Sequence, residues 1–210
     1  MPEPAPTLAA LAPAFDSPEL PVHRRTIEVS VFERDGYHVV VGTLHDERPW
    51  ASGEQGPRDL HRMKLSIVVR RADLVIVDAA ATMDTFPHAE CPTIEDTFRD
   101  LIGLSVSRGY TSAVQARFGR ERGCSHLEFL ARALGPVVIQ AITSSVARQA
   151  EEGDGEPMFS DGGLAWLTNT CHLWAEDGIG PQKVATGWRP GKAEYPAPSL
   201  VEIKRRAQHG

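Results

Sequence analysis

The sequence predicts an α+β domain: an antiparallel sheet of two hairpins with helices packed on one face. Three observations carry that expectation. Alternating stretches at 26–32 and 37–44 flank Asp35-Gly36, a two-residue hairpin turn signal. A second alternating pair, 61–69 and 74–82, flanks Ala72-Asp73. From Cys91 onward the apolar spacing lengthens from the period of a strand to that of a helix.

Residues 1–22 carry Pro2, Pro4, Pro6, Pro13, Pro18 and Pro21 and read as an extended, Pro-rich arm. Thr26–Phe32 and Tyr37–Leu44 form the first hairpin, and a polar, Gly-rich loop runs from about His45 to Asp59. His61–Val69 and Leu74–Thr82 form the second, giving about four strands with one buried face. Pro92 suits a first helical position. Ile94, Phe98, Leu101 and Ile102 then share a face, and Gly103 is the stop. A shorter helix spans about Thr111–Phe118 and ends near Gly119. The longest opens at Ser125 and carries Leu127, Leu130, Leu134, Val138 and Ile142, with Pro136 as a potential kink. The acidic, Gly-rich run Glu151–Pro157 is the best linker. A short helix is expected over Leu164–Trp174, and a Pro-rich tail follows Asp177-Gly178. The resulting division is an arm (1–22), an α+β metal-site domain (23–150), and a linker, short helix and tail (151–210).

Composition bounds the function. The 210 residues are 41% hydrophobic and 24% charged, ordinary for a globular chain. A net charge of −6 does not suggest a nucleic-acid surface, and Lys204-Arg205-Arg206 reads as a solvated tail. No run approaches the ~18–20 apolar residues that span a bilayer, and the start lacks a basic, secretory pattern. Three cysteines make an odd count that favours reduced thiols, ligands or nucleophiles over disulfides. The expectation is a soluble, cytoplasmic protein without nucleic-acid or membrane partners.

The residues that carry chemistry are few. Cys91 precedes Pro92 at a helix start, and Cys124 and His126 stand together at the start of the longest helix. Helix N-termini favour thiolates, and soft thiolate and imidazole donors suit a zinc-like ion. His61, before a strand that pairs with the one leading to Cys91, is the fourth expected ligand, with Asp59 its substitute. The alternative reading makes both cysteines small buried residues and both histidines ordinary surface or helix-start residues. Asp46 and Asp78 are candidates to orient a metal-bound histidine or to act as general base, or else outward-facing strand residues. Cys171 and His172 point about 100° apart on a helix and so form no dyad with each other. Cys171 is a further ligand or pocket thiol, or a buried cysteine between Trp166 and Trp174. Arg24 and Arg25 either receive an anionic substrate or are solvated at the domain edge. Walker, Gly-x-Gly-x-x-Gly, His-Glu-x-x-His and Gly-x-Ser-x-Gly patterns are absent from the sequence, which argues against nucleotide binding and the commoner hydrolases.

The segment from His61 to about Thr143 resembles the U-type iron–sulfur scaffold fold, in which a hairpin feeds a cysteine at a helix start and a His-Cys pair opens the last helix. By position His61 takes the place of the scaffold aspartate, Cys91 that of the second cysteine, and Cys124 with His126 that of the pair. Asp59 stands where the first cysteine is expected, and the pair reads Cys-x-His. These departures argue against cluster assembly and leave mononuclear zinc. From Arg24 to Asp177 the chain also resembles an uncharacterised bacterial family with an Arg-Arg start, a Thr-Leu-His-Asp-Glu-Arg-Pro-like loop, a Gly-Cys-[Ser/Thr]-His-Leu motif and a late Asn-x-Cys-His motif. That resemblance implies no particular activity.

Three functional expectations follow. The first is a zinc enzyme, or the metal-bearing subunit of one, acting on a small molecule through Asp46 or Asp78, with Cys171-His172 as further candidates. The second is a non-enzymatic interaction or carrier subunit with structural zinc, docking on a larger enzyme subunit as a hetero-oligomer through Trp166, Trp174 and Trp188. The third is a metal-free cysteine-dependent hydrolase using Cys91, Cys124 or Cys171, or a protein holding iron or an iron–sulfur cluster like the scaffolds.

Overall fold

A computed structural model describes residues 12, 17–54, 56–107, 109–152, 167–188 and 194–209. The chain divides into two units, 1–141 and 142–210.

The first unit holds a four-stranded antiparallel meander in the order β1 (Arg24–Arg34), β2 (Tyr37–Glu47), β3 (Asp59–Arg70) and β4 (Ile76–Thr85). The Asp35-Gly36 turn closes the first hairpin, with Gly36 at a φ of 77° that a side chain would strain. Alternation then decides the faces. On β2, His38, Val40, Gly42, Leu44 and Asp46 are buried on one side, and on β3 Met63, Leu65, Ile67 and Val69 continue that face. The strand that ends in Asp46 therefore brings one carboxylate in on the core face.

Helices cover that face. Cys91–Leu101 is a 3-10 segment where the sequence suggested an α-helix. It buries Phe98 and Leu101, as the spacing implied, while Ile102 caps it and stays partly exposed. Glu95 Oε1 accepts the Met83 backbone N–H at 2.6 Å and ties the segment to β4. Helix α1 (Tyr110–Phe118) follows, its Phe118 ring stacked on Phe98 at 4.6 Å. Helix α2 (Ser125–Glu152) contains Pro136, and its Leu127, Leu130, Leu134 and Val138 are fully buried. A Cβ on Gly42 would meet Leu134 Cδ2 at 2.6 Å and Leu130 Cδ1 at 3.0 Å, so α2 rests directly on the middle of β2. Tyr110 donates its hydroxyl to the Ala131 carbonyl at 2.9 Å, and Gly135 leaves room for the Tyr110 ring. Among the described residues α2 is the one helix long and apolar enough, by length and composition, to cross a membrane. A third of its apolar stretch (33%) is buried, Leu127, Leu130, Leu134 and Val138 among it.

In the second unit, the linker after Glu152 and the first three residues of the expected 164–174 helix, Trp166 among them, lie outside the described residues, and over 168–174 the chain is a turn followed by a 3-10 segment where a helix was expected. What is described differs from the expected tail. A 3-10 turn (His172–Trp174) leads to α3 (Ile179–Ala185), and α4 (Leu200–His209) carries the basic run. Lys183 is buried and donates to the Pro198 carbonyl, and Ile203 is the buried residue of α4. Arg206 pairs with Glu194 and Glu202, so the basic run is part of a helix surface and not a loose tail.

Candidate metal centre

The site forms where the core face of the sheet runs out. Arg25, Asp46 and His61 are direct cross-strand partners on β1, β2 and β3. The β2–β3 register shifts between Asp46 and Glu47, as at the bulges that often adjoin functional sites. His126 enters from above as the second residue of α2. Cys124 stands at the helix cap, its carbonyl accepting the Glu128 N–H at 2.8 Å.

Asp46 is the centre of the arrangement and is 1% exposed. Arg25 grips it with a two-pronged contact, Nε to Oδ1 and Nη2 to Oδ2, both 2.7 Å. His23 Nε2 lies 3.3 Å from Oδ1. His61 Nδ1 and His126 Nε2 lie 3.3 and 3.4 Å from Oδ2, and the two imidazole rings stack at 3.8 Å. Burial alone would raise the Asp46 pKa. The Arg25 hydrogen bonds, with the charges of Arg25, His126 and His23, outweigh it and bring the carboxyl down to about 2. Burial, helped by His61 and Arg25, lowers the pKa of His126 and keeps a ring lone pair available. Oδ2, Nδ1 of His61 and Nε2 of His126 thus form a donor group able to hold a metal ion. His61 Nδ1 is buried and makes no hydrogen bond, although a carboxylate oxygen is 3.3 Å away. The contact has the distance of a close approach without the direction of a hydrogen bond.

Of the four ligands expected from the sequence, His61 and His126 meet here. Asp46, expected as a base or an orienting carboxylate, supplies the third donor. Cys124 lies against the other side of the His126 ring, Sγ 3.8 Å from Nδ1. Cys91 is half-buried at the start of the 3-10 segment. Neither thiol belongs to a described group of converging donors. Asp78 is an outward-facing residue of β4, 3.8 Å from Arg99, with its own Oδ1 accepting the Ala79 N–H. Cys171 is exposed and His172 opens the 3-10 turn of the second unit.

Arg24 and Arg25, read as either substrate-binding or solvated, are both ion-paired: Arg24 to Glu47 at 2.9 Å and Arg25 to Asp46, each side chain keeping part of its surface exposed. Asp59 pairs with His45 at 2.8 Å. With Glu47 these two form a second possible donor group. Its carboxylates pair with Arg24, Arg58 and Arg62, and Asp59 is 41% exposed, whereas Asp46 is buried. His23 and the Arg25–Asp46 grip went unread in the sequence. The grip had a signal: counting back from the Asp35-Gly36 turn sets Arg34 opposite Tyr37 and, continuing, Arg25 opposite Asp46.

No curated protein and no solved structure matches the chain. Residues 23–140 match the family described as protein of unknown function (DUF2889), a span that includes His23, Arg25, Asp46, His61, Cys91, Cys124 and His126. As the match covers more than half of its length, the chain belongs to that family.

Proposed function

We propose that this protein binds a divalent ion of the zinc class through Asp46, His61 and His126, and that it is a metal-dependent enzyme, or the metal-bearing subunit of one, acting on a small molecule. One observation carries the reading: the spacing around Oδ2. Zinc bonds to nitrogen and oxygen of ~2.0–2.1 Å in a tetrahedron place neighbouring donors about 3.3–3.4 Å apart. His61 Nδ1 and His126 Nε2 stand 3.3 and 3.4 Å from Asp46 Oδ2, and the His61 atom has no hydrogen bond to lose. Three protein donors leave a position for water or substrate, the pattern of a catalytic rather than a structural zinc. Bound there, the ion would polarise a carbonyl or phosphoryl oxygen or acidify a water. Arg25 would fix the Asp46 carboxylate from behind, as outer hydrogen-bond partners fix metal ligands elsewhere. A donor set of nitrogen and oxygen also favours a mononuclear ion over an iron–sulfur cluster, which calls for thiolates.

A second reading has its own observation. Cys124 Sγ faces His126 Nδ1 at 3.8 Å while Nε2 of the same ring faces Asp46, the thiol–imidazole–carboxylate order of a nucleophilic cysteine. It uses no metal.

Metal analysis of protein purified without added metal separates the two. The metal reading predicts close to one zinc per chain, lost in Asp46→Asn, His61→Ala and His126→Ala and kept in Cys91→Ala and Cys124→Ala. Metal-free wild-type protein whose Cys124 is alkylated by iodoacetamide far faster than in His126→Ala would establish the cysteine reading instead.

A further inference from the structure

The charge balance around the centre points to the class of molecule it receives. Asp46 and Arg25 cancel, and histidines ligate metals as neutral imidazoles. A divalent ion added to this set leaves the centre with a net positive charge, because the one ligand carboxylate is already balanced. The open position therefore favours an anionic partner.

Arg25 is built to meet such a partner. Its Nε and Nη2 face Asp46, which leaves the edge formed by Nη1 and the outer Nη2 hydrogen, and the side chain is 35% exposed. The same guanidinium lies 5.8 Å from the centroid of Phe129, a residue of α2 three positions after His126. Arg132 approaches that ring at 5.5 Å, itself paired with Glu128, yet Phe129 remains 41% exposed. An exposed aromatic ring thus lies beside two guanidinium groups, one of which also holds the buried carboxylate, so an apolar face and hydrogen-bond donors for an anion stand next to each other.

We infer that the centre takes a small organic anion, its acid group received by the free edge of Arg25, next to the ligand carboxylate of Asp46, and its flat, apolar body laid against Phe129. The inference rests on the metal reading, and the test separates the two. Cobalt(II) replaces zinc and reports its coordination through visible absorption. Cobalt-loaded wild-type protein is titrated with benzoate, acetate and benzamide. Benzoate should shift the cobalt bands and bind about tenfold more tightly than acetate, the difference an aromatic contact supplies. Neutral benzamide should leave the bands in place. Phe129→Ala should retain the cobalt spectrum and bring benzoate to the level of acetate. Arg25→Lys, which keeps the charge but loses the fork, should weaken both acids.

A cobalt spectrum that benzoate leaves unchanged, that benzamide shifts as readily, or whose benzoate response survives Phe129→Ala overturns this inference and leaves the metal reading standing. Failure of the wild-type protein to bind cobalt overturns both.

Discussion

Asp46 is subject to opposing demands, and their balance defines the site. Removal from water favours its neutral form, while the guanidinium of Arg25 favours the carboxylate, and the latter wins. The outcome is an anion fixed in a nearly dry position, with the imidazole nitrogens of His61 and His126 3.3 and 3.4 Å from it. At the other end of the same face His38 lacks such a partner. It is 1% exposed, its Nδ1 makes no hydrogen bond, and burial, with Arg71 adding and Glu33 opposing, lowers its pKa below 6.5. A base whose pKa is lowered by folding binds more protons when unfolded, so stability falls as pH drops below about 6.5 and levels off below the native pKa. We expect His38→Leu to flatten this slope, which can reach about 1.4 kcal/mol per pH unit. Urea denaturation of both proteins between pH 7.5 and 5, on the order of the range over which histidine titrates, measures it. An identical pH dependence in the two proteins would contradict the buried, neutral His38.

At the scale of elements, the contact of α2 with the middle of β2 fixes His126 over Asp46. Gly42 permits that contact because Leu130 and Leu134 occupy the space a side chain would need. Gly42→Ala is expected to cost about 1–3 kcal/mol through overpacking, despite the usual benefit of replacing a strand glycine. Equilibrium unfolding tests this, and a stabilised variant would mean that α2 does not press on β2. Leu134→Ala and Gly42→Ala combined should cost less than the sum of their separate costs, because the new methyl group would then fill space vacated by Leu134.

Across the whole molecule, legibility follows the range of the interactions. The Asp35-Gly36 turn and strict alternation made the first hairpin readable, and with it the placement of Arg25 beside Asp46. The β2–β3 register depends on the irregular 48–58 connection, so the meeting of Asp46 with His61 had no local signal. Cys91 looked like a ligand because a cysteine before proline opens helices, but whether a thiol points at a distant histidine is a tertiary matter. His126 was recognisable from its helix start, although its useful nitrogen turned out to face Asp46 and not the neighbouring Cys124. In α4 the charged Glu202, Lys204, Arg205 and Arg206 surround one buried Ile203, and the prolines before it disguised a helix as a tail.

The most direct test of the metal centre is X-ray absorption at the zinc edge of the zinc-loaded, full-length protein. The arrangement of Asp46, His61 and His126 predicts a first shell of nitrogen and oxygen only, at about 2.0–2.2 Å, with the outer scattering of two imidazoles. A sulfur scatterer at about 2.3 Å would contradict it and move the ion to Cys91 or Cys124.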